Sequence, residues 1–159
     1  MTRKHLGRQS VRFDFPPSIL SYASVVGKKE GEGPLAAYFD TISSDTKFGQ
    51  QTWEKAESQM QTLALQGALR KASLSPSNVH MLFAGDLLNQ CIGTSFAARG
   101  TDIPFYGLYG ACSTMAESLS LAAMAVEGGY AEIAAAGSDL TYHVGTMIEI
   151  PRAALTADE

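Results

Sequence analysis

Two rhythms of apolar and polar positions run along this chain, and the second half carries the clearer one. Residues 79–84 form a short apolar run that ends at Gly85-Asp86, residues 88–99 have helical spacing, and residues 103–109 are again apolar and β-prone. Residues 112–126 follow as a helix rich in Ala, Leu and Met, closed by Gly128-Gly129, and residues 133–136 as a further buried strand. Strand, helix, strand, helix, strand predicts an α/β domain with a parallel sheet and right-handed crossovers. Helix 112–126 has Glu117 as its one charged residue, with Glu127 just beyond, so it is predicted to lie buried between layers.

The first half is less regular. Trp53, Ala56, Met60, Leu63, Ala64 and Gly67 recur at intervals of three and four, which predicts a helix over residues 52–72 with one apolar face. Glu54, Lys55, Glu57, Gln59 and Gln61 fall off that face, Thr52 is a reasonable N-cap, and residues 75–78 end the helix in a turn. Residues 19–26 read as a strand, the glycine-rich segment GKKEGEGP (27–34) as an irregular loop, and residues 35–45 as a short helix. Residues 1–10, with Arg3, Lys4, His5 and Arg8, predict a flexible, solvated basic tail, a phosphate-binding arm being the alternative. Residues 142–150 suggest one more strand before a polar end with no further core element.

Composition narrows the class. With 159 residues, 45% of them hydrophobic and 18% charged, the chain suits one compact domain, which excludes disorder for its bulk. No window reaches the roughly 18 apolar residues of a membrane span, and the amino end carries no apolar signal core, so neither insertion nor a cleaved signal is expected. Two cysteines predict a reduced, intracellular setting. A net charge of −4 gives no general attraction for nucleic acid or anionic lipid. Cys91 and Cys112 lack zinc-ligand spacing, and no phosphate-binding glycine motif follows a strand, so neither metal nor cofactor is expected.

The stretch from Gly107 to Thr114 is the most informative chemically. A strand ends at a glycine, turns, and delivers Cys112 to the start of a helix, where free N–H groups and the positive dipole end favour thiolate. That suits a nucleophile or a ligand-contacting thiol, and the small neighbours Gly110, Ala111, Ser113 and Thr114 leave room for an approach; a small buried hydrophobe is the bland alternative. Asp86, at the carboxyl end of its strand, fits either a ligand contact or the N-cap of the next helix. Asn89 and Gln90 could add amide hydrogen bonds there or be ordinary first-turn residues. Of the three histidines, His143 is the candidate to meet Cys112 as a base, and a surface histidine is its plainer reading.

The segments GKKEGEGPL (27–35), GQQTWEKAE (49–57), AGDLLNQ (84–90), SFAARG (95–100) and GLYGACSTMAESLSLAA (107–123) resemble the stage V sporulation protein AD family, thiolase-like proteins of endospore-forming bacteria. The likeness covers residues 11–138 as a thiolase-like N-terminal half domain. It implies a five-layered αβαβα fold of two similar halves, with a mainly parallel mixed sheet and a buried central helix, of which this chain carries one half. It also implies a non-enzymatic role: binding dipicolinic acid, with calcium, for uptake into the developing spore. The implied location is peripheral, on the cytoplasmic face of the spore inner membrane, beside membrane-embedded channel proteins. The superfamily's nucleophile position falls on Cys112 and its strand-ending acidic residue on Asp86; with Asn89 and Ser113 these make the expected ligand pocket. Lys28, Lys29 and Arg99 are the cations nearest in sequence that could meet a dianion. The alternative is an acyltransferase that forms a thioester on Cys112. Residues 139–159 depart from the family pattern, as a truncated gene, a frameshift or a fragment would make them. A half chain would leave the apolar face of helix 112–126 uncovered, so a homodimer or an unstable chain is expected.

Overall fold

The computed structural model describes residues 4–87 and 90–138. Its centre is a parallel sheet of β5 (Met81–Gly85), β6 (Phe105–Leu108) and β7 (Ala134–Ser138), in the order β6-β5-β7. Before it come two exposed strands, β1 (His5–Leu6) and β2 (Ser10–Val11), and a parallel pair, β3 (Val25–Val26) and β4 (Thr41–Ile42). The helices are α1 (Lys28–Gly31, a single turn), α2 (Trp53–Lys71), α3 (Ile92–Arg99) and α4 (Thr114–Glu127).

Side chains alternate across β5, and each set meets a different layer. Leu82 and Ala84 pack with Leu69 of α2, Ala98 of α3 and Ile103, whereas Phe83 packs with Ala122 and Ala125 of α4. The sheet is therefore held between α2 and α3 on one face and α4 on the other. Crossover handedness explains the split: the chain steps from β5 to β6 through α3, then back across β5 to β7 through α4. Reversing the step while keeping the hand puts the second helix on the opposite face. Phe83 and Tyr106, paired in register, stack with ring centroids 5.0 Å apart beneath α4. Where β5 and β6 end, a Cβ on Gly85 would collide with the Leu108 carbonyl.

The expected α/β class with a mainly parallel sheet is what folds, and α2 starts where expected, the Thr52 hydroxyl accepting from the Lys55 N–H at 3.3 Å. Several local expectations are corrected. Residues 27–34 are not wholly irregular, since α1 turns once between their glycines. Residues 35–45 hold a 3₁₀ turn at Ala36–Tyr38 and then β4 instead of a helix, and of residues 19–26 only Val25 and Val26 pair. Trp53 is exposed, while Glu57, assigned off the apolar face, is buried against α3 where Gly93 leaves room for its carboxylate. Residues 5–11 form an exposed β1–β2 hairpin instead of an unstructured tail, and Lys4 pairs with the Glu127 carboxylate at the end of α4. Helix α4 is covered on one face only among the described residues: Thr114, Ser118, Ala122 and Ala125 are buried, but Leu119 and Met124 are 45% and 43% exposed. An all-round apolar helix announces that its far face wants a cover and does not supply one. The expected strand over residues 142–150 lies outside the described residues.

Candidate functional site

Cys112 and Asp86 come to one end of the sheet because each follows the carboxyl end of one of two adjacent parallel strands. The helices after those strands leave toward opposite faces, and such a divergence opens the crevice in which α/β sheets bind ligands. Their surroundings differ sharply.

Cys112 is exposed on the 3₁₀ turn Ala111–Ser113 that leads into α4. The turn is tightly bonded: Ser113 donates its N–H and its hydroxyl to the Gly110 carbonyl at 2.9 and 2.7 Å, and the Gly110 N–H donates to the Thr114 hydroxyl at 3.2 Å. Ala111 has φ +48°, an uncommon value for a residue with a Cβ, so the chain is held in a strained bend just before the thiol. A Cβ on Gly110 would lie 2.5 Å from the Glu117 carboxylate and 2.8 Å from the Ser113 hydroxyl, so a larger residue there would displace these two side-chain ends from the turn. The thiol thus stands just before the helix, not inside its first buried turn.

Asp86 is completely buried. One carboxylate oxygen accepts the Cys91 N–H at 3.1 Å; the other accepts the Thr94 N–H at 2.9 Å and the Thr94 hydroxyl at 2.8 Å. The Gln61 amide donates in turn to the Thr94 hydroxyl at 3.0 Å, tying α2 into the group. Asp86 therefore holds the entry of α3 from six positions before it, satisfying N–H groups of its first turn, whereas the N-cap position itself is Cys91 and not Asp86 as the spacing suggested. Beside it, Cys91 donates its thiol to the Leu108 carbonyl at 2.8 Å, and burial, reinforced by the Asp86 charge, pushes its pKa up.

The other expected residues are scattered. Ser113 lies on the Cys112 turn, while Asn89 and His143 are outside the described residues. Lys28 and Lys29 sit on α1, which packs against β4, and Lys28 faces Glu32 at 3.8 Å. Arg99 ends α3, which runs back along the sheet away from its carboxyl edge. His80 precedes β5 at the opposite, amino edge. No group of three or more His, Cys, Asp or Glu residues among those described could hold a metal ion. Sequence reasoning gave Cys91, Thr94 and Gln61 no role in the site, because which neighbour each side chain bonds is decided only when α2, α3 and β6 meet.

The profile described as Stage V sporulation protein AD (SpoVAD) matches residues 7–146. The chain belongs to the stage V sporulation protein AD family. Stage V sporulation protein AD of Bacillus subtilis (strain 168) is 38% identical over 135 residues, 85% of this chain and 40% of that protein. The SpoVAD-family match thus spans well under half the length of that relative. A 22-residue stretch is 86% identical to pyruvate, phosphate dikinase of Clostridium symbiosum, 14% of this chain and 2% of that enzyme. Among solved structures, the priming β-ketosynthase from the R1128 polyketide biosynthetic pathway is 26% identical over 47% of this chain and 24% of that one, with a TM-score of 0.42.

Proposed function

We propose that this chain is a binding module that holds dipicolinic acid, a small aromatic dicarboxylate, at the Cys112 turn for loading into the developing spore. One observation carries the reading: a SpoVAD-family chain presents an exposed Cys112 on a bend of small residues, at the crevice between two diverging strand ends. Cys112 and Ser113 would touch the ligand, and Asp86 would serve from beneath by fixing the entry of α3; Asn89, which lies outside the described residues, is a further candidate contact. A dianion needs positive charge, and Lys28, Lys29 and Arg99 stand on elements packed elsewhere. Calcium carried with the ligand as cargo would meet that need, its affinity for carboxylate oxygens letting it bridge the ligand and acidic side chains.

In this reading the chain works at the cytoplasmic face of the spore inner membrane, held by membrane-embedded channel proteins. It is consistent that no helix among the described residues is long and apolar enough to cross a membrane. A second copy would cover the outward face of α4, where Leu119 and Met124 are exposed. Calorimetric titration with dipicolinate, with and without Ca²⁺, tests the reading. Saturable binding by the native chain, weakened at least tenfold in Cys112→Ala, is expected, a loss of about 1.4 kcal/mol. A folded chain that binds neither form of the ligand overturns it.

The exposure of Cys112 next to the start of α4 also favours a second reading, an acyltransferase carrying a thioester on that sulfur. Its mark would be an acyl adduct on Cys112 after incubation with acyl-coenzyme A, absent in Cys112→Ala.

A further inference from the structure

Cys91 has a backbone that few residues tolerate and a bond at each of its polar groups. It and Gln90 are consecutive left-handed residues, with φ of 73° and 53°. Such values are uncommon without glycine, and two in a row persist only where the surroundings hold them. The Cys91 N–H is held by Asp86, and its carbonyl accepts both the N–H and the hydroxyl of Ser95, at 2.8 and 2.5 Å. The bend aims the side chain across the strand ends, where the thiol donates to the carbonyl of Leu108. Leu108 is the last residue of β6, and Tyr109 and Gly110 alone separate it from the Cys112 turn. Space is cleared on that line at Gly85, where a Cβ would collide with the Leu108 carbonyl, while Gly107 borders the sulfur at ordinary contact distance.

We propose that Cys91 is a positioning residue for the ligand-binding turn, its thiol pinning the Leu108 carbonyl and thereby fixing the direction in which β6 hands the chain to Cys112. The effect on ligand rests on the dipicolinate reading above; the effect on the turn does not. Asp86 holds the amide, the left-handed bend aims the sulfur, and the sulfur holds the strand end, so the fully buried carboxylate reaches the exposed turn through Cys91. Burial and the Asp86 charge keep the thiol protonated, and only the protonated form can donate.

Cys91→Ala removes the donor without placing a β-branched side chain on a left-handed backbone, and Cys91→Ser restores one. Amide hydrogen exchange at residues 109–114 should quicken about twofold to fivefold in the alanine variant, the size of one lost weak hydrogen bond, and return toward the native rate in the serine variant. Dipicolinate affinity should fall and recover in parallel. Unchanged exchange in Cys91→Ala overturns the proposal, as does equal loosening in both variants, which would mark general damage. The infrared S–H stretch supplies a reading that needs no change at Cys91. In Cys112→Ser, where Cys91 is the remaining thiol, the band should sit at the lowered frequency of a hydrogen-bonded S–H, and a free-thiol band overturns the proposal. If the native chain binds no dipicolinate while exchange and infrared behave as expected, the ligand reading fails and the positioning role stands.

Discussion

At the scale of single residues, the site is set by how closely two strand ends approach. Gly85 lies under the Leu108 carbonyl, with the Thr114 side chain also at hand, and both obstacles belong to packed elements and not to flexible side-chain tips. Gly85→Ala should therefore force the strand ends apart and cost about 1–3 kcal/mol, read as a lowered urea midpoint with an unchanged slope. The two thiols should differ as plainly. Cys112 is exposed, whereas the pKa of Cys91 is raised above its usual 9.0 by burial and by the Asp86 charge. Iodoacetamide near neutral pH should label Cys112 first, with Cys91 following only as pH climbs past 9, and peptide mass mapping would show the order. A raised thiol pKa stabilises the fold below the unfolded value and loses that contribution as pH rises through the folded one.

At the scale of elements, two polar groups join helices to what they pack on. Asp86 satisfies the N–H groups of Cys91 and Thr94, and Asp86→Ala would leave both, with the Thr94 hydroxyl, without the carboxylate. A lost acceptor at the helix entry plus a desolvated donor should cost about 2 kcal/mol or more, with faster amide exchange across α3. The second group links α2 to the β3–β4 pair. The Lys71 ammonium, bonded to Asp40 at 2.6 Å, holds the Asp40 pKa below its usual 3.8, with help from the Ser24 N–H. A depressed carboxylate pKa contributes stability that is complete above the unfolded value and is lost as pH falls through the folded one. Stability of the native chain should thus drop more steeply below pH 3.8 than that of Lys71→Met, as acid unfolding followed by circular dichroism would show. Much of this scale was legible in the sequence, for a reason that differs by element. α2, α4 and β5 repeat their pattern long enough for period to decide, whereas β3, β4 and α1 are two to four residues each and owe their form to contacts that no period announces. The site divides the same way. Cys112 was visible because a glycine turn before a helix has a sequence signature; Cys91 was not, since its left-handed backbone and its bond to Leu108 exist only once α3 and β6 meet.

At the scale of the whole molecule, the described chain is a sheet whose layers are unevenly closed. β7 pairs with β5 on one side, and along it runs an apolar groove of about 550 Å³ lined by Ile19, Leu20, Leu65, Leu119 and Val126. A face this apolar should take up an environment-sensitive apolar dye, and Leu119→Lys, which places a charge in the groove, should reduce the dye's fluorescence without lowering the thermal midpoint by more than a few degrees. The strand order has a further consequence, for synthesis. β5 is central yet is made before both of its neighbours, and β7, which completes it, follows only after α3, β6 and α4 have emerged. Parallel neighbours so far apart in sequence form slowly, since each must first close a long loop. From the making of β5 until β6 emerges the nascent chain therefore carries an apolar strand with two bare edges, and one edge stays bare until β7 follows, so this is the interval in which the ribosome and its attendant chaperones have most to shield.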